Sequence, residues 1–237
     1  MFEEEVAVFA SGLGNPAPYA EEMHSHGMTI MAVVGTVRHA VKCKDGGTDV
    51  IIAQGTEGGG HTGRIATVAL VPQVVDAVSP TPVVAAGGIA DGRGLIAALA
   101  LGACGVWVGT RFVASKEAAG HMNYKQNIID ATEESTLVTR AFTGKDCRVI
   151  KNQYAEQWED RQGEIKPFPY QMMVDGDKME AAIVRGEADR GIMPAGQISG
   201  AIHEVASAGD IVREMAEEAE EVLTRLAEKH LELQSAR

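Results

Sequence analysis

The sequence predicts an α/β fold with a parallel sheet, on three observations. Five short apolar runs rich in Val, Ile and Ala recur through the first half of the chain. Their near-continuous apolarity marks strands buried on both faces. Helix-like segments separate the runs at the spacing of βα units, roughly 20 to 30 residues. Third, the 27 glycines cluster where runs end, and clustered glycine lets backbone pack close to whatever lies there.

In chain order, strands are expected over residues 6–10, 29–33, 49–53, 82–86 and 105–108, and helices over 17–26, 36–44, 67–78 and 92–101. After Ser115 the rhythm stops. Residues 116–200 read as polar and irregular, with one aromatic-and-proline knot at Pro167-Phe168-Pro169-Tyr170. Asp210 reads as the N-cap of a long final helix. In that helix Ile211, Met215, Ala219, Val222 and Leu226 step by three and four residues, which stacks them on one face. The expected organisation is a core over 1–115, a lid or substrate segment over 116–200, and a helix within 201–237 that covers the sheet.

Composition excludes several classes. Twenty-one basic against thirty-three acidic residues give a net charge of −12, with no electrostatic footprint for nucleic acid or an anionic membrane. No run approaches the roughly 18 apolar residues of a spanning helix. The acidic start, Met1-Phe2-Glu3-Glu4-Glu5, lacks the basic-then-apolar pattern of a signal peptide. Cys43, Cys104 and Cys147 form neither a C-x-x-C pair nor a zinc spacing. A cytoplasmic protein without a metal site is the expectation. His24 and His26 read as solvated.

Ligands of parallel α/β sheets and barrels bind beyond the C-terminal strand ends. The third run leads into Gln54-Gly55-Thr56-Glu57-Gly58-Gly59-Gly60-His61-Thr62-Gly63, the fourth into Gly87-Gly88-Ile89-Ala90-Asp91-Gly92, and the fifth into Trp107-Val108-Gly109-Thr110. Glycines at such ends let N–H groups approach an anion, and the N-terminus of a following helix adds a favourable dipole. If these are the last two strands of a barrel, Gly88 and Gly109-Thr110 cradle one phosphate. The plainer reading is that each glycine only makes a tight turn. Two phosphate-type ends in consecutive strands, with a third glycine run holding a histidine, favour the ligand site. His61, flanked by glycines, belongs to a loop, and its imidazole suits proton transfer at neutral pH. No G-x-G-x-x-G pyrophosphate turn follows any strand.

The ordered pair E-G-G-G-H-T-G and A-A-G-G-I-A-D-G-R-G, with Leu70-Val71-Pro72-Gln73 between them and Gly105 to Phe112 after them, closely resembles the nitronate monooxygenase family, formerly called 2-nitropropane dioxygenases. Met193-Pro194-Ala195-Gly196-Gln197 looks like that family's late active-site segment. The resemblance implies a (β/α)8 TIM barrel binding FMN, and oxidation of nitronates or nitroalkanes with O2 to a carbonyl compound and nitrite. It also implies roles by position. Gln54, Gly59 and Gly60 would contact FMN, Gly87 and Gly88 its phosphate, and Trp107, Val108, Gly109 and Thr110 would complete the phosphate grip. His61 matches the catalytic histidine, and Gln197 falls in the substrate or lid segment.

The match departs from the family in strand number. Eight strands less the five found leaves three, or roughly 90 residues at about 30 per unit. An incomplete barrel of five βα units is expected to expose two parallel edges, and so to self-associate or to pair with a complementary chain. Two other readings stand beside the nitronate monooxygenase one: a flavin-dependent enoyl-(acyl-carrier-protein) reductase that uses a nicotinamide cofactor, and a non-catalytic fragment.

Overall fold

The computed structural model describes residues 5–235, with side chains through His230. Its strands are β1 (Val8–Ser11), β2 (Thr29–Val34), β3 (Val50–Gln54), β4 (Gly60–His61), β5 (Val83–Ala86), β6 (Gly105–Trp107), β7 (Thr136–Thr139) and β8 (Cys147–Ile150). The α-helices are α1 (Ala20–Ser25), α2 (Val37–Asp45), α3 (Thr67–Val78), α4 (Gly92–Ala100), α5 (Thr110–Val113), α6 (Met122–Ile129), α7 (Gln153–Gln157) and α8 (Ala208–Ser235). The chain divides into two compact units. One comprises Met1–Glu57, Thr62–Gly87 and Ala98–Trp107; the other comprises Gly58–His61, Gly88–Ala97 and Val108–Arg237.

The first unit is a parallel α/β sheet in the order β1-β2-β3-β5-β6. All four neighbouring pairs are parallel, and among the described residues the sheet stays open between its edges, β1 and β6. Central β3 carries the burial that its apolar run predicts, with Ile51, Ile52 and Ala53 wholly buried. Helix α2 begins where the Thr36 hydroxyl accepts the His39 N–H at 3.2 Å, an ordinary N-cap. Helix α3 has Ala66 at its cap position, which offers no side-chain acceptor. The Glu57 carboxylate does that work from the preceding loop, accepting the Thr67 N–H at 3.0 Å. His24 is not simply solvated. Its Nε2 lies 3.0 Å from the Asp49 carboxylate oxygen that also accepts the Ile30 N–H.

The second unit holds an antiparallel sheet, β4-β8-β7, inside the stretch expected to be irregular. Two buried clusters fill it. One gathers Ala114, Tyr124, Ile128, Ile150, Met193, Ala195 and Ile202; the other gathers Cys147, Val149, Tyr154, Trp158 and Ile192. Thr136–Thr139 and Cys147–Ile150 bound or interrupt their apolar residues with Thr and Arg, so neither reads as the continuous apolar run that marks the parallel strands. Ser207, not Asp210, caps α8: its hydroxyl accepts the Asp210 N–H at 3.1 Å in a Ser-x-x-Asp box. The apolar stripe of α8 is buried at Ile211, Ala219 and Val222, the last two packing on Ile96. It ends there, because Leu226 is 53% exposed. Among the described residues no helix is long and apolar enough to cross a membrane.

Candidate functional site

In the first unit the strand ends form one row. Gln54 of β3 is in register with Ala86 of β5, and Ala86 with Trp107 of β6, because parallel pairing brings C-terminal ends to a common edge. Gln54 is half-buried and the Trp107 side chain is 44% exposed. Gly87 follows this row with φ +94°, a conformation glycine adopts at no steric cost. The Gly55 N–H continues the ladder to the Ala86 carbonyl at 2.9 Å. Thr67 Oγ1 lies 2.9 Å from both the Glu57 carboxylate and the Gly87 carbonyl. The acid of the E-G-G-G-H-T-G motif is therefore a helix cap that also orders the loop after β3.

In the second unit the sequence 193–197 is a hub. A Cβ on Gly59 would lie 2.6 Å from the Ala195 carbonyl carbon and 2.7 Å from the Gly196 nitrogen, so Gly59 is glycine because that backbone presses on it. The buried Thr110 hydroxyl accepts the Gly196 N–H at 2.9 Å. The Ile150 N–H donates to the Met193 carbonyl at 2.9 Å, Val149 bridges to Pro194, and the Tyr124 hydroxyl donates to the Pro194 carbonyl. The structure thus gathers Gly59 and Thr110 on the 193–197 segment, and Gln197 lies exposed at the start of a 3-10 turn, Gln197–Ala201.

His61 sits on a strand, not in the expected loop. It pairs with Cys147 in the β4–β8 ladder, which fixes its backbone. Its Nε2 lies 2.7 Å from the Thr143 hydroxyl, and its ring stacks on Phe142 with centroids 5.8 Å apart and 24° between planes. Burial, followed by the charge of Lys145, pushes the imidazole pKa below its usual value, so His61 is neutral at pH 7. The Lys145 ammonium stands 4.0 Å from the centre of the Phe168 ring. A neutral, half-buried imidazole can accept a proton or hydrogen-bond a polar substrate atom.

Gly88 has φ +72° and Gly60 φ +77°. Among the described residues no protein acceptor takes the N–H of Gly88 or Gly109. A Cβ built on Gly109 would meet nothing within 4 Å, so an anion's oxygens have room there. Val108 beside it is half-buried. The dipole expected from α4 is differently used. The Gly92 N–H donates to the Glu218 carboxylate at 2.7 Å, and the Gly94 N–H donates to Asp91 at 2.9 Å. These carboxylates occupy the helix start whose dipole the sequence expected to favour an anion. Among the described residues no group of three or more His, Cys, Asp or Glu is placed to hold a metal ion.

Sequence reasoning missed Phe142, Thr143, Lys145 and Glu57. Thr143 is 82 positions from His61, and no local pattern links them. Glu57 stood inside the motif, ten residues before Thr67, and could have been read as a cap from the bare Ala66.

The nitronate monooxygenase family model matches residues 1–218. The chain is 42% identical to Rv1533 of Mycobacterium tuberculosis over 226 residues, which are 92% of this chain and 60% of that protein. Among solved structures, FabK from Thermotoga maritima superposes with a TM-score of 0.90 at 37% identity, covering 96% of this chain and 72% of that one. Nitroalkane oxidase from Streptomyces ansochromogenes superposes at 0.84 with 30% identity, covering 95% and 67%. The chain spans 60% of the length of its Mycobacterium relative.

Proposed function

The chain belongs to the nitronate monooxygenase family, and from that premise we propose that it carries the reactive core of an FMN-dependent oxidoreductase acting on nitronates or nitroalkanes with O2, with carbonyl compound and nitrite as products. One observation supports this above the others. The second unit holds a neutral His61, hydrogen-bonded and stacked, two residues from a Gly59 seated on the 193–197 backbone.

The residues fit a flavin phosphate. The N–H groups of Gly88 and Gly109 lack protein acceptors among the described residues, and the space at Gly109 is open. Backbone amides of this kind bind an anion without a side-chain charge. Gly88, Val108, Gly109 and Thr110 would hold the phosphate, Gly59 and Gly60 would flank the ring system, and Gln197 would face substrate. FMN, when bound, supplies the electron transfer to O2, which no side chain can perform.

What the chain itself does is positional and acid–base. His61 is neutral at pH 7, so it can take the proton α to the nitro group of a neutral nitroalkane, or hydrogen-bond a nitronate that has already lost it. The β4–β8 pairing holds its backbone and Phe142 limits its ring rotation, which reduces the reorganisation needed when substrate arrives.

Anaerobic titration of the FMN-loaded protein tests the reading. Bleaching of the flavin by propionate 3-nitronate is the expected result. Bleaching by NADH alone would establish the enoyl reductase alternative, and failure to retain FMN at all would establish a non-catalytic chain.

A further inference from the structure

Thr143 Oγ1 lies 2.7 Å from His61 Nε2, and the residue is 2% exposed. The same oxygen accepts the Lys145 N–H at 3.3 Å. A hydroxyl has one proton to give and two lone pairs to offer, and two arrangements are therefore open. If the ring donated Nε2–H to Oγ1, the hydroxyl would accept twice and its own proton would point at no acceptor among the described residues. A buried polar hydrogen without a partner is costly. If Oγ1–H donates to Nε2, the Lys145 N–H and both the oxygen and the proton of the Thr143 hydroxyl are satisfied. We infer that Thr143 is a positioning residue that, before substrate arrives, donates to Nε2 and holds His61 in the neutral form protonated at Nδ1, so that Nε2 serves as the base only once this hydrogen bond is released.

The loop that presents Thr143 is anchored on several sides. The Ala141 N–H donates to Thr139 Oγ1 at 3.1 Å, while the Ala141 carbonyl accepts from the buried Gln171 amide at 3.0 Å and the buried Lys178 ammonium at 3.2 Å. Lys178 also donates to the Gln171 and Val174 carbonyls at 2.9 and 2.7 Å. Its buried charge is thus dispersed over three backbone oxygens, and this clamps the segment behind Thr143. Gly144, at φ +89°, sits where a Cβ would come within 2.6 Å of the Lys166 oxygen and the Phe168 nitrogen. Phe142, from the same loop, stacks on the ring that Thr143 orients. Of the ionisable groups near His61, Lys145 on this loop acts on its charge and Cys147 pairs with it across the ladder.

The role of Thr143 in turnover rests on the function proposed above, but its control of the tautomer does not. Histidine 15N NMR of the full chain at pH 7, with the His61 resonances identified by their loss in His61→Asn, tests it without flavin or substrate. The expected wild-type spectrum shows a protonated Nδ1 and an acceptor Nε2. Thr143→Val, which keeps shape and loses the hydroxyl, should shift the ring toward a mixture or toward Nε2–H, and Thr143→Ser should restore the wild-type pattern. A wild-type His61 protonated at Nε2 would overturn the inference, whether or not the valine variant folds. So would a folded Thr143→Val protein with an unchanged tautomer. Anaerobic flavin bleaching reports separately on the proposed reaction.

Discussion

The Gly92 amide donates to the Glu218 carboxylate at 2.7 Å across 126 residues of sequence. Helix α8 thus caps helix α4, because an acid at a helix N-terminus satisfies an orphan N–H and meets the positive end of the dipole. Gly92 must be glycine for this approach. A Cβ there would lie 2.4 Å from the Ala219 nitrogen and 2.7 Å from the Met215 carbonyl oxygen. The last part of the A-A-G-G-I-A-D-G motif is therefore a helix–helix joint.

Glu218→Ala should lower stability by about 1 kcal/mol, the usual cost of losing a cap, or a Tm decrease of about 2–4 °C in a chain of this size. Gly92→Ala should cost more, because only a shift of backbone relieves the contact. Thermal melts followed by circular dichroism check both, and a Gly92→Ala protein as stable as wild type would contradict the joint.

Gly59→Ala and Gly60→Ala separate two reasons for glycine in one motif. At Gly59 the new methyl meets the Ala195–Gly196 backbone, so a loss of about 1–3 kcal/mol is expected. At Gly60 the methyl meets nothing within 4 Å and only the φ of +77° opposes it, at about 1–2 kcal/mol. Should Gly60→Ala prove the more damaging in denaturant titrations, packing against the 193–197 segment would not be the governing constraint at Gly59.

Gly88→Asp should abolish FMN retention, because it sets a carboxylate where a phosphate dianion is proposed, and like charges in a poorly screened site repel strongly. Gly88→Asn is the control. Asn tolerates the positive φ of +72° about as well as Asp does, and it carries no charge. Flavin absorbance of the purified variants, with FMN retained by Asn and lost by Asp, is the expected pattern; equal retention would move the phosphate elsewhere.

His61→Asn should leave FMN bound and slow turnover of neutral nitroalkanes by about 10² to 10⁴, the range for loss of a general base. Pre-formed nitronates should suffer less, having no proton left to surrender. Parallel kcat/KM measurements on both forms decide it, and equal losses would remove the base role.

The pH dependence follows from the lowered His61 pKa. A base works deprotonated, so the acid limb of kcat/KM for nitroalkanes should lie below about 6.5, the ordinary histidine value. The same sign governs stability. The folded state resists protonation here, so its contribution is present above the unfolded pKa and is lost as pH falls below that value. Lys145→Gln should move the acid limb of the rate profile upward but short of the ordinary value, because burial is the larger cause and remains. A limb that does not move would show that Lys145 exerts no field at His61.

By itself the sequence determined the parallel sheet. The expected runs coincide with β1, β2, β3, β5 and β6 to within two residues at each end, because a strand buried on both faces needs continuous apolar sequence. It determined α3 to the residue, and the family, whose glycine and histidine spacings are local. It left the second unit unread. The antiparallel β4-β8-β7 sheet joins the two-residue β4 to β7 and β8, whose Thr and Arg residues break the apolar run, so nothing in the local sequence marks the pairing.

Only tertiary structure decided what surrounds His61. Burial, and after it the charge of Lys145, keeps its ring neutral, while Phe142 stacks on it and Thr143 hydrogen-bonds it, and these three residues arrive on a loop whose shape is set by Lys178, Gln171 and Gly144. It likewise assigned the glycines their separate reasons: Gly59 to the Ala195–Gly196 backbone, Gly92 to α8, and Gly88 to its own positive φ. A glycine looks the same in sequence whether it makes room for a ligand, a helix or a turn, since what it accommodates is the absence of a side chain. The identity of the neighbour is fixed by contacts many residues away, and those exist only once the chain has folded.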